Sequence, residues 1–114
     1  MRLKTALWVA AYLRRCQVEG AFAVVRRRGA EEAGAVFVRI CRLDGKSDLY
    51  GPAPQSALDV SRGADRTFAS SFNQQPVPDA AVEAKLEREL KFDTDLWIVE
   101  VEEPAGRNFL DIAS

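Results

Sequence analysis

A chain of 114 residues with 47% apolar and 29% charged side chains has the make-up of an ordinary globular domain, which indicates neither a disordered chain nor a membrane class. That length supports one hydrophobic core, so residues 1–114 are read as a single domain. Sixteen Lys and Arg against seventeen Asp and Glu leave a net charge of −1, and no overall field directs the chain to nucleic acid or to an anionic membrane.

The charge is unevenly spread. Residues 1–46 carry +6 and residues 47–114 carry −7. Attraction between the two halves within one fold is the simplest consequence, and a homodimer made by self-complementary surfaces is the alternative. With no histidine and only Cys16 and Cys41, far apart in sequence, there is no ligand set for a metal. Both cysteines read as free thiols of a reducing cytosol. The apolar run at residues 6–13 is too short for a secretion signal and is cut off by Arg14 and Arg15, so a cytoplasmic protein without a membrane partner is expected.

In chain order, Val9, Tyr12, Leu13 and Cys16 fall at helical spacing, with Thr5 placed to cap the helix and Gly20 to end it. Residues 22–28, FAVVRRR, read as a strand that passes from apolar to basic. Residues 29–34 then read as a turn leading back into residues 36–41, VFVRIC. Asp44 and Gly45 supply the turn of the next hairpin, and Gly51, Pro52 and Pro54 stop its second strand. Three consecutive antiparallel strands, a meander, are therefore expected. Residues 52–65 read as a loop in which Leu58 and Val60 are the apolar anchors, and residues 66–72 as a further short strand or irregular chain. Asp79 is placed to cap a second helix whose stripe is Val82, Leu86 and Leu90. The last strand sets Trp97, Val99 and Val101 on one face and Ile98, Glu100 and Glu102 on the other, within reach of Arg39 or Arg27 on neighbouring strands. The tail after Pro104 is expected to attach loosely, although Phe109, Leu110 and Ile112 are apolar enough to dock. The predicted class is α+β: a mainly antiparallel sheet of four to five strands, the meander plus the C-terminal strand, with two helices packed on it.

Three stretches together, LWVAAYLRR at residues 7–15, LYGPAPQ at residues 49–55 and residues 87–102, make the chain resemble a small alphaproteobacterial domain-of-unknown-function family, DUF1491. The resemblance covers nearly the whole chain. It implies one compact α+β domain and brings no assigned activity, cofactor or functional residue.

The chemistry points the same way. Without histidine the usual base for a Ser or Cys nucleophile is missing, and the lysines fall at turn, helix-surface and terminal positions. Glu31 and Glu32, between Gly29 and Gly34, would repel a nucleotide's phosphates. No catalytic residue and no cofactor is assigned, and the chain is read as a non-catalytic protein-interaction module. Its expected contact is the loop carrying Tyr50, Pro52, Pro54 and Gln55, where an amphipathic ring stands beside prolines that limit the entropy lost on docking. The alternative is weak binding of RNA or single-stranded DNA, with Arg26, Arg28 and Arg42 contacting phosphates near Phe37 and Tyr50.

Overall fold

Val36–Cys41 (β2) is buried along almost its whole length, on both faces, as a strand at the centre of a covered sheet must be. The computed structural model describes residues 4–54 and 66–113. Around β2 are Thr5–Val18 (α1), Phe22–Arg27 (β1), Lys46–Pro52 (β3), Phe68–Ser70 (β4), Val77–Pro78 (β5), Asp79–Phe92 (α2) and Trp97–Glu102 (β6). The sheet runs β1-β6-β2-β3-β4, with β5 on the far end of β3. The α+β class stands, in a sheet of six strands rather than four or five.

The expected meander is not what forms. β2 and β3 make the hairpin read from Asp44-Gly45, pairing Cys41 with Ser47 and Val38 with Tyr50. β1, however, does not pair with β2. β6 lies between them, antiparallel to β1 and parallel to β2. The loop at residues 29–34 is therefore a wrap around the entrance of β6 and not a tight turn. Ala30 N–H donates to the Asp95 carbonyl at 2.8 Å, and the Trp97 indole donates to the Ala30 carbonyl at 2.8 Å. Glycine is required here by close approach, since a Cβ on Gly29 would lie 2.1 Å from the Asp95 carbonyl oxygen and one on Gly34 would lie 2.5 Å from the same atom.

Each face of the sheet carries one helix, as strand alternation allows. On one side Val9, Tyr12 and Cys16 of α1 pack with Val36, Val38, Ile40, Trp97, Val99 and Val101. On the other, Val82 and Leu86 of α2 pack with Phe37, Leu49, Leu96 and Ile98. Both predicted helical stripes thus face the sheet, and each fully buried large side chain contributes about 1.5–3 kcal/mol. Neither predicted cap is made. The Thr5 hydroxyl donates to the Gly34 carbonyl at 2.9 Å, and the Asp79 carboxylate accepts from Ser47 Oγ at 2.7 Å. Tertiary partners have taken both side chains away from the helix ends.

The tail is docked rather than loose, through the apolar residues singled out for it in the sequence. Phe109 and Leu110 pack on the α1 side, Tyr12 donates its hydroxyl proton to the Asn108 carbonyl at 2.7 Å, and Ile112 forms a parallel bridge with Phe68. Leu58 and Val60 lie outside the described residues.

Gly29→Ala should cost about 2–3 kcal/mol, at the upper end of overpacking penalties, because the clashing atoms are backbone and cannot rotate away. The urea unfolding midpoint measures it, and a midpoint equal to wild type would mean that the wrap around β6 is not tight.

Candidate functional site

The densest group of chemistry-bearing side chains lies between the sheet and the N-terminal half of α2. Arg39 of β2 and Glu100 of β6 are direct neighbours in the parallel register, and Val24 of β1 is opposite Glu100 on its other side. Asp79 and Glu83, one helical turn apart on α2, come down on them. Arg39 is only 8% exposed. Its Nε donates to Ser47 Oγ at 3.1 Å, and its terminal nitrogens reach Asp79 at 3.1 Å, Glu100 at 3.2 Å and Glu83. Arg26 grips Glu83 with both terminal nitrogens, at 2.8 and 2.7 Å, and Glu100 with one at 3.0 Å. The positive first half and negative second half of the sequence thus meet inside one molecule.

This cluster fixes charge states. Hydrogen bonds from Ser47 and then Arg39 hold the Asp79 carboxyl below its ordinary range against the cost of burial, and Arg26 and Arg39 do the same for Glu83. Bonds to Glu83, opposed by burial and joined by Glu100, push Arg26 up. Burial works against the Arg39 charge, but Cys41, Asp79, Glu100 and Glu83 together overcome it and hold Arg39 above its ordinary value. Cys41 lies beside this cluster, and burial raises its thiol despite Arg39, so it is not activated as a nucleophile. Burial raises Cys16 and Tyr12 as well. The arrangement is suited to clasping α2 onto β1, β2 and β6, with each charge answered by another.

The residues singled out in the sequence are dispersed. Arg26 belongs to the clasp. Arg28 lies over the Trp97 ring at 4.9 Å, on the α1 side. A bulge between Val25 and Arg27 disturbs the alternation that would have set Arg26 and Arg28 on one face. Arg42 donates from Nε to Asp48 at 2.8 Å and stands against Gly106. Tyr50 is half-buried against the α1-side core, so its ring supports packing. Pro52 and Pro54 are exposed and line a groove of about 350 Å³ with Phe37, Lys85 and Glu89. Gln55 lies outside the described residues. A larger concavity, about 500 Å³, opens between α1 and the tail beside Trp8, Arg15 and Asp111.

One surface went unread in the sequence. β1 ends the sheet, and among the described residues its backbone bonds to no strand but β6. Its apolar side chains are open to water, with Phe22 61%, Val24 39% and Val25 36% exposed. At the opposite end, β4 is closed by the tail, through Phe68 N–H to the Asp111 carbonyl at 2.9 Å and Ala113 N–H to the Phe68 carbonyl at 2.8 Å. Six residues of FAVVRR alternating across two faces carried the signal, but only strand order shows that no described strand covers their outer edge.

A family model described as protein of unknown function (DUF1491) matches residues 3–111. The chain belongs to the DUF1491 family. Among solved structures, this DUF1491 chain is similar to the solution structure of Atu0922 from A. tumefaciens, at 44% identity and a TM-score of 0.84, over 100% of this chain and 97% of that one. A crystal structure of a DUF1491 family protein from Caulobacter crescentus matches at 34% identity and a TM-score of 0.79, over 100% of both chains. No curated protein matches. Among the described residues no helix is long and apolar enough to cross a membrane.

Because Asp79 and Glu83 are held below their ordinary values, the stability they contribute is complete above about pH 5 and is lost as pH falls through their lowered values. Glu83→Gln should flatten the acid limb of a stability–pH curve and leave its neutral region level. An acid limb unchanged in the variant would place the acid sensitivity elsewhere. Arg39→Met should cost about 2–3 kcal/mol at neutral pH by urea unfolding, less than a fully buried broken pair, because Glu83 remains partly hydrated.

Proposed function

We propose that this DUF1491 protein works in the cytoplasm as a non-catalytic module that makes protein–protein contacts, and that its contact surface is the open edge of β1. The observation that carries the reading is a six-residue edge strand at the end of a six-stranded sheet whose Phe22, Val24 and Val25 are exposed. A row of unpaired backbone donors and acceptors about 20 Å long, flanked by apolar side chains, is a template for an added strand. Natural edges are usually blunted by charge or bulges. Here Arg26, Arg27 and the bulge protect one half only, and residues 22–25 are left as an adhesive half.

The ionisable groups support a binding role. In the clasp, carboxylates are held ionised and guanidiniums are saturated, and the thiols of Cys16 and Cys41 are raised, so these groups suit fixed architecture better than proton transfer or nucleophilic attack. The free thiols suit a reducing compartment. The nucleic-acid alternative gains no support from geometry, since Arg26, Arg28 and Arg42 are engaged with Glu83, Trp97 and Asp48 at three separate places.

Val24→Lys tests the edge. It sets a lysine beside Glu100 within the sheet, a favourable neighbour pair, while placing a charged, strongly hydrated side chain on the contact row. Used as bait in affinity capture, wild type should retain chains that the variant loses to background. Equal recovery by both baits would remove β1 as the contact surface.

A further inference from the structure

The β1 edge is self-complementary. We infer that the strand it pairs with is β1 of a second copy of this chain, forming a homodimer with one continuous sheet across a two-fold axis. This rests on the reading of β1 as the contact surface and names its occupant.

The geometry selects the pairing. A two-fold axis perpendicular to a sheet joins identical edges antiparallel and keeps each face on its own side, so residues opposite one another must come from the same face of their strands. Centred on Val24, the axis sets Val24 against its own copy, Ala23 against Val25, and Phe22 against Arg26. The first two pairs are apolar throughout. In the third, the ring of Phe22, 61% exposed, covers a guanidinium already neutralised by Glu83 and Glu100, a cation–π geometry in which the charge needs no further partner. The bulge between Val25 and Arg27 stops regular pairing beyond Arg26 and thereby pins the register to the apolar half.

Charge favours a second copy over an arbitrary strand. β1 begins beside Glu102, which is paired to Phe22, with Glu19, shared by Arg15 and Arg107, three residues before it, and it ends in Arg27 with Arg28 next in the chain. Antiparallel self-pairing brings each basic end to the acidic start of the other copy. A net charge of −1 opposes association only weakly. The tail closes the β4 edge, so pairing at β1 ends in a closed dimer and does not propagate into a fibre.

Sedimentation equilibrium of the purified chain is the test. Wild type should rise with concentration to twice the monomer mass, and Val24→Lys, which sets like charges against each other on the axis, should stay at monomer mass with an unchanged far-ultraviolet circular dichroism spectrum. Wild type remaining monomeric across the series overturns the homodimer, and so does a Val24→Lys protein that still dimerises. Should Val24→Lys fail to fold, Phe22→Ser, at a more exposed site, takes its place. A monomeric wild type whose captured chains are still lost from the Val24→Lys bait would refute self-pairing and leave the contact surface standing, whereas a dimer and a capture both indifferent to the substitution would refute both.

Discussion

The sheet depends on β6 lying between β1 and β2. That position gives β6 a long neighbour on each side, one antiparallel and one parallel, and buries Trp97, Ile98, Val99 and Val101 almost completely. Parallel pairing demands that the chain travel from one end of the sheet back to the other between the two strands, and α2 makes that return journey across one face. The wrap at residues 29–34 follows from the same demand. It must leave a gap one strand wide, and Gly29 and Gly34 keep side chains out of the space that residues 95 and 96 occupy.

Placing β6 there also decides the electrostatics. Arg39 is set in the most enclosed strand of the molecule, where an unanswered charge would be costly to bury. β6 supplies Glu100 from one side, β3 supplies Ser47 from the other, and α2 closes over both with Asp79 and Glu83. The helix therefore has two attachments of different kinds: an apolar one through Val82 and Leu86, and an ionic one nearer its start. Packing alone would tolerate some sliding or rotation, whereas guanidinium–carboxylate geometry is directional and fixes the angle at which α2 crosses.

What could be read from the residues was what neighbours in sequence decide. The stripes Val9–Tyr12–Cys16 and Val82–Leu86, the hairpin around Gly45, and the closeness of Arg39 to Glu100 all emerged as expected. The misreadings share one cause. A loop with Gly29, Gly34 and two glutamates looks the same whether it turns a hairpin or straddles a strand arriving from 60 residues later, and only long-range pairing chooses between them. Thr5 and Asp79 stand where caps belong, but the Gly34 carbonyl and the Ser47 hydroxyl, distant in sequence, compete successfully for them. The exposure of Phe22 and Val24 is likewise a property of strand order, which alternation within FAVVRR does not encode. The candidate contact surface was therefore the part of the molecule least visible in the sequence, while the loop carrying Tyr50 was conspicuous because of its composition and lends its ring to the core instead.

The central position of a C-terminal strand has a consequence for biosynthesis. During translation β1 and β2 emerge early, each with an edge that the other cannot satisfy, and both wait for residues 97–102 to leave the ribosome before the sheet can close. Chains in which that segment has not yet emerged would display the two edges that β6 fills as well as the outer edge of β1, and that interval is when the polypeptide is most in need of chaperone protection.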